Sequence, residues 1–283
     1  MLEKKILNGK VAVITGGGGI LCSSMAEALA TAGASVAILD IRKEASETVA
    51  EKINKNGGKA IGLSANVLEK KSLEEAENEI ASKLGACDIL VNGAGGNHPK
   101  GTTSKEFLLK EDLIKKDDTL VSFFDLSPDG IKFVFDLNFI GTLLPTQVFA
   151  SKMVQKGHGN IINISSMNAF KPLTKIPAYS AAKAAISNFT QWLAVHFAKS
   201  NIRVNSIAPG FFLTDQNRSL LTNPDGSFTP RAEKIIAHTP MGRFGKPEEL
   251  IGTLLWLVDD NASSFVNGVV VPVDGGFSAY SGV

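Results

Sequence analysis

The chain has 283 residues, 44% of them apolar, and a formal net charge of +1. That composition can bury a sizeable core, and α/β chains of this length are often one domain, so a single domain over residues 1–283 is expected. So even a balance gives no electrostatic case for nucleic acid or an acidic membrane surface. Cys22 and Cys87 lack metal-ligand spacing, which argues against a disulfide framework and a zinc site. The first ten residues lack the apolar core of a signal peptide, and no unbroken apolar run reaches the ~18 residues of a membrane span. A cytoplasmic globular protein with no metal is expected.

In chain order, residues 11–15 read as a buried strand and Gly16 to Gly19 as a glycine-rich turn. Residues 23–32 read as an Ala-rich helix and 35–39 as a second strand. This βαβ order sets a dinucleotide pyrophosphate on a helix N-terminus, with Gly16, Gly18, Gly19 and Ile20 nearest it. Asp40, next after the second strand, can accept hydrogen bonds from both hydroxyls of an adenine ribose and repel a 2′-phosphate. Arg42 and Lys43 can instead hold that phosphate. The acid comes first, so NAD is expected, with NADP possible.

Residues 44–56 form an amphipathic helix pattern, 60–63 a short strand running on to Asn66 and Val67, and 69–84 a charged surface helix. Residues 88–91 read as a fourth strand ending in Asn92-Gly93-Ala94-Gly95, where small side chains let a ligand approach the backbone. Residues 96–130 form a long connection, the expected place for a lid or substrate loop. It carries Asn97, His98 and a helix candidate over 105–116. His98 suits a substrate ligand, a second acid/base group or a plain loop residue. Ser127 and Pro128 start a helix as N-cap and N1, running to about residue 156 with a kink expected at Pro145. Asn138 lies inside it among Phe and Leu neighbours, which argues for burial.

Residues 160–164 are a β-branched strand ending in Ser165-Ser166, and a loop then leads into a small-residue helix carrying Tyr179 and Lys183. Those two stand one turn apart on one face. A phenol has a pKa of about 10; an ammonium beside it favours the phenolate, and bringing the pKa to about 8 takes roughly 3 kcal/mol. With Ser166 donating to the same substrate oxygen, this is an acid/base apparatus for interconverting an alcohol and a carbonyl. A sixth strand over 203–208 ends in Pro209-Gly210-Phe211-Phe212-Leu213-Thr214. Residues 214–240 read as a substrate loop with a helix over 231–238, and a helix over 247–258 precedes a last strand over 269–273.

A strand ending in Ser-Ser, with Tyr-x-x-x-Lys thirteen residues after Ser166, resembles the active-site segment of the short-chain dehydrogenase/reductase family. The glycine turn and the Asn92 to Gly95 segment are similar to the same family. They depart from its usual pattern in carrying Ile20 and Cys22 at two glycine positions and Gly93 at an asparagine position. The resemblance covers residues 9–283. It implies a Rossmann-like, doubly wound sheet of seven parallel strands between helix layers, and a tetrad of Asn138, Ser166, Tyr179 and Lys183. In that tetrad Lys183 lowers the pKa of Tyr179 and Asn138 orders a relay water. The resemblance also implies cofactor contacts at Asn66, Val67, Asn92, Gly93, Ala94, Pro209, Gly210, Phe212 and Thr214, and a homodimer or homotetramer.

Within the family, three stretches look like the D-mannonate oxidoreductases (fructuronate reductases) of this type. They are Gly-Gly-Asn-x-Pro after the fourth strand, Ser-Ser-Met-Asn-Ala-Phe-x-Pro-Leu-Thr-Lys-Ile-Pro, and the tail Pro-Val-Asp-Gly-Gly-Phe-Ser-Ala-Tyr-Ser-Gly-Val. That likeness implies a sugar-acid substrate. Asn97, Asn168, Lys171, Lys175 and Arg218 flank the expected site, and such groups suit a polyhydroxylated anion. Arg218 is the first expected partner of its carboxylate, with Lys175 and Asn168 next. Another sugar or polyol dehydrogenase, such as a gluconate 5-dehydrogenase, and a non-catalytic dinucleotide sensor are the alternatives.

Overall fold

The computed structural model describes residues 5–114, 119–213, 218 and 220–282. Seven strands join in one sheet: β1 (Val11–Thr15), β2 (Ser35–Asp40), β3 (Lys59–Ser64), β4 (Ile89–Asn92), β5 (Gly159–Ile164), β6 (Ile202–Pro209) and β7 (Val270–Val273). Their order is β3-β2-β1-β4-β5-β6-β7 and every pairing is parallel. The chain winds outward from β1 to β3, then returns to place β4 on the other side of β1. The reversal opens a crevice at the C-terminal ends of β1 and β4, where doubly wound sheets take their ligands.

The two-residue period of a strand explains the layering. Ala12 and Ile14 of β1 face one side with Val36 and Ile38 of β2, under Met25, Ala26 and Leu29 of helix α1 (Ile20–Thr31). Val49 and Ile53 of α2 (Lys43–Lys55) join this layer. Val11 and Val13 face the other side with Ala37 and Leu39. They lie under α3 (Lys70–Lys83), α6 (Gly141–Lys156) and α7 (Pro177–Phe197), which contribute Leu73 and Ile80, Phe149 and Met153, and Leu193. Strands buried on both faces must be continuously apolar, as β1 and β2 are.

The segment expected as one kinked helix has three parts: α5 (Pro128–Phe135), a π turn at Asp136–Ile140, and α6. The departure from α geometry therefore falls on the residues around Asn138, not at Pro145, and Gly141 N–H donates back to Asp136 C=O five residues away. Pro145 is buried within α6, which continues through it. By length and composition the stretch Pro128–Lys156 is apolar enough to cross a membrane, which a scan for unbroken apolar runs passes over; half of its most apolar window is buried inside the fold. In the long connection, α4 (Lys110–Ile114) is the only part of the expected 105–116 helix among the described residues. Helix α8 (Pro230–Ala237) starts one residue earlier than expected, with Thr229 as its N-cap. The 247–258 helix opens as a 3₁₀ turn at Pro247–Leu250 before α9 (Ile251–Val258).

A buried polar seam crosses the apolar interior. Thr142 Oγ1 donates to Asn138 C=O and Thr146 Oγ1 to Thr142 C=O, each at 2.7–2.8 Å. Asn92 Nδ2 donates to Thr146 Oγ1 and to Asn163 Oδ1, both at 2.9 Å. Asn163 Nδ2 donates to Thr190 Oγ1 of α7 at 2.9 Å. Asn92 and Asn163 are directly paired in the β4–β5 register. The seam thus ties α6, β4, β5 and α7 into one hydrogen-bonded unit and fixes the two helical segments that carry Asn138 and Tyr179. Breaking it leaves buried donors without partners, at about 1–3 kcal/mol each. Asn163→Ala should therefore lower unfolding free energy by about 2–4 kcal/mol in urea denaturation. A loss under about 0.5 kcal/mol would mean that the seam is dispensable.

Candidate active site

Pro177 at the first position of α7 and the small residues Ala178 and Ala182 let the helix lie close against Val134 of α5. Its next turn brings Lys183 under the end of β5. Lys183 is 3% exposed; its Nζ donates to Ile164 C=O at 2.8 Å, and its own C=O accepts from Ser165 Oγ at 3.0 Å. Burial lowers the ammonium's pKa to about 8. Asn138, fully buried, donates from Nδ2 to the carbonyls of Gly96 (2.7 Å) and Val134 (2.8 Å) and accepts from Gly96 N–H (3.2 Å). A methyl group on Gly95 would meet Asn138 Oδ1 at 2.6 Å and Lys183 Nζ at 3.1 Å, so both polar groups flank one point that only glycine leaves open.

Ser166 follows β5, is 7% exposed, and its Oγ accepts from Asn168 N–H at 3.2 Å. Tyr179 is half-buried beside it. The expected lowering of the Tyr179 pKa is not what the structure shows. Burial raises it, and the Ser166 hydroxyl beside the phenol only partly offsets that. The Lys183 ammonium lies 5.6 Å from the centre of the tyrosine ring and donates one of its three N–H groups to the Ile164 carbonyl. Tyr179 is therefore a neutral proton donor as it stands. Ser166, Tyr179 and Lys183 form a donor cluster at the C-terminal ends of β4 and β5, with Asn138 holding the adjoining Gly96 backbone, and the cluster can hold an alcohol or carbonyl oxygen and exchange a proton with it.

On the other side of the crevice the glycine turn spends its own donors internally. Gly17 N–H goes to Leu39 C=O, Gly18 N–H to Asp40 Oδ2 and Gly19 N–H to Gly16 C=O, at 3.0–3.1 Å. The glycines shape the turn, and the first-turn N–H groups of Ile20 and Leu21 are those an anion can reach. Gly16 has φ +63°, and a Cβ there would lie 2.8 Å from Ala94 Cα, so the turn and the β4 end touch backbone to backbone. Thr15 Oγ1 clamps that contact by accepting from Gly93 and Ala94 N–H at 3.1 and 3.2 Å. Asp40 is buried, and Arg42 donates to its Oδ1 from both backbone N–H (3.0 Å) and Nε (3.4 Å), while Lys43 pairs with Glu47.

Two departures from the family pattern prove to be one. A Cβ on Gly93 would lie 2.3 Å from Cys22 Sγ. The thiol occupies the space a side chain at 93 would need, so a larger residue at 22 goes with glycine at 93. Both cysteines are buried and unpaired.

The remaining expected contacts divide. Gly210 N–H donates to Val273 C=O just after Pro209, and Phe212 is buried against Gly245, so this turn is packed at the crevice rim. Thr214 lies outside the described residues. Val67 is buried against Gly141, and Asn66 closes its own turn, accepting from Leu68 N–H and donating to Glu69. Asn92 is 2% exposed: its Nδ2 donates twice into the seam, while its Oδ1 has no partner among the described residues. Asn97 donates to Thr102 inside the long connection, and His98 accepts from Lys100 N–H and packs on Phe133, a capping role. Asn168 is 4% exposed with Oδ1 lacking a partner among the described residues. Arg218 is exposed, and its C=O accepts from Thr222. Sequence reading misses Thr15 and Cys22. A threonine ending an otherwise apolar strand is a signal for the first; the second is marked only by its standing where the family pattern has glycine. Among the described residues no cluster suits a metal ion.

Residues 10–225 match the family model described as short chain dehydrogenase. An uncharacterized oxidoreductase of Haemophilus influenzae is 60% identical, covering 98% of this chain and 96% of its own length. A provisionally named D-mannonate oxidoreductase from Haemophilus influenza, solved with bound NAD, is 59% identical with TM-score 0.93 and 98% coverage of each chain. A gluconate 5-dehydrogenase from Burkholderia cenocepacia, solved with NADP and tartrate, is 31% identical with TM-score 0.81 and 99% coverage of each.

Gly93→Ala should weaken NADH affinity about 5- to 100-fold in a fluorescence titration, since overpacking here pushes the glycine turn from the β4 end. Adding Cys22→Gly should recover part of that loss. A double variant no better than Gly93→Ala alone would separate the two positions.

Proposed function

The chain belongs to the short chain dehydrogenase family, and we propose that this oxidoreductase interconverts the secondary alcohol and the ketone of a sugar acid, D-mannonate and D-fructuronate first among candidates, with NAD. One observation carries the chemistry: Ser166, Tyr179, Lys183 and Asn138 converge at the ends of β4 and β5, across the crevice from Asp40. The relative with bound NAD supports the sugar acid and the cofactor. The relative with NADP and tartrate keeps a gluconate-type substrate as the second reading.

The cradle suits a dinucleotide. Asp40 accepts three hydrogen bonds from Gly18 and Arg42, and an ionised carboxylate has about four acceptor positions, so one is left for a ribose hydroxyl. Arg42 is turned onto Asp40, which leaves a 2′-phosphate facing a carboxylate. The first turn of α1 would hold the pyrophosphate, and Lys183 with the Gly93–Ala94 backbone the second ribose. Bound nicotinamide supplies the hydride acceptor or donor.

The protein's part is positional and protonic. Ser166 holds the substrate oxygen, and Tyr179 gives it a proton in reduction or takes one in oxidation. Lys183 supplies positive charge behind Tyr179, and Asn138, fixed by the π turn, holds the Gly95–Gly96 backbone and the relay water against it. Trp192 and Val195, three apart on α7, and Phe133 of the adjoining α5 are exposed, which suits assembly of a homodimer or homotetramer.

Aldonates and uronates screened with NAD(H) and NADP(H) test the reading; turnover of neutral alcohols alone would exclude it. Tyr179→Phe should lower turnover at least ~100-fold while NADH binding hardly changes. Asp40→Ser should erode or invert a preference for NAD over NADP in kcat/KM. A wild type that prefers NADP would contradict the role given to Asp40.

A further inference from the structure

A cavity of about 470 Å³, lined by none of the four catalytic residues, lies among the segment 171–175, Phe211, α8 and Glu106 of the long connection. The segment 171–175 joins the Ser166 turn to α7, and Phe211 follows β6, so the cavity shares the sheet edge with Tyr179. Its walls carry Lys171, Lys175, Arg231 and Lys234 against a single carboxylate, Glu106. Lys234 is hydrogen-bonded to Glu106. Lys175 and Arg231 have no carboxylate within ion-pair distance among the described residues.

We propose that Lys175 and Arg231 form the subsite that binds the substrate's carboxylate. The inference rests on the sugar-acid reading and names the groups that read the acid. A carboxylate already resides at the edge of this cluster. The Glu106 pKa is lowered, first by its hydrogen bond from Lys234 and further by the charges of Lys234, Lys175 and Arg231. The Lys175 and Arg231 charges thus reach the rim of the cavity where Glu106 sits. Lys175 is also held in an uncommon backbone: its φ is +72°, a left-handed conformation that side chains other than glycine seldom adopt, and Thr103 N–H holds its carbonyl at 2.9 Å. A guanidinium and an ammonium facing one cavity can share a carboxylate, one taking it with two parallel bonds. A hexonate's carboxylate is separated from its reacting carbon by a run of carbinol carbons. The cation pair therefore belongs beside the proton-transfer groups and not among them. Arg218 does not line this cavity.

The test is steady-state kinetics with NAD on D-mannonate and on the neutral D-mannitol, for wild type, Arg231→Gln, Arg231→Lys and Lys175→Gly. Glycine at 175 suits the left-handed backbone, so that variant removes the charge without straining the loop. Arg231→Gln and Lys175→Gly should raise KM for D-mannonate about 10- to 100-fold with kcat nearly unchanged. The rate on D-mannitol and the Kd for NADH should not move, and Arg231→Lys should keep much of the affinity. Equal losses on the acid and the polyol, or an unchanged KM for the acid, would overturn the subsite. A wild type inactive on every aldonate and uronate would instead overturn the sugar-acid reading beneath it.

Discussion

The structure depends on one unusual burial: the Lys183 ammonium, 3% exposed, with a main-chain carbonyl as its hydrogen-bond acceptor. Removing an ammonium from water costs several kcal/mol unless partners replace the lost solvent. Here the cost appears as a pKa lowered to about 8 by burial. The charge is kept in place by the surrounding architecture. Ser165 holds the Lys183 carbonyl, the Ile164 carbonyl holds its Nζ, and Asn138 brings its amide oxygen to the same point beside Gly95. A cation held this way stays available to any oxygen that enters the crevice.

The polar seam explains how such an arrangement stays rigid. Asn138 and Lys183 sit on different helical segments, and neither segment is fixed by apolar packing alone. The Thr142–Thr146–Asn92–Asn163–Thr190 series links them through the paired residues of β4 and β5, so a shift of one segment breaks hydrogen bonds between buried groups. Apolar contacts give the layers their stability, while the seam sets their register near the site.

Much of this is legible in the sequence because it rests on short-range pattern. Continuous apolar strands, the glycine turn, the Ser127–Pro128 helix start and the Tyr179–Lys183 spacing each follow from one or two turns of local geometry. What is not legible depends on contacts distant in sequence. Proline is the local cause of kinks, so the sequence points to Pro145 for the helix irregularity; the π turn instead falls where Asn138 bonds the Gly96 backbone, 42 residues away in the chain. The family resemblance implies a cofactor contact at Asn92, whereas the partner of its Nδ2, Asn163, is 71 residues away. The Cys22–Gly93 complementarity and the Arg231 side of the cavity likewise join separate elements. The sign of the Tyr179 shift depends on where the Lys183 Nζ points, which spacing along a helix does not specify.

The central claim, that a buried and nearly unpaired ammonium organises the site, is tested most directly by titrating the lysine side chains themselves. With Cε-labelled lysine, NMR should show one resonance with a midpoint near pH 8, absent from Lys183→Met, while the surface lysines titrate above about pH 10. Every lysine titrating in the ordinary range, or a low-pKa resonance that survives Lys183→Met, would contradict it.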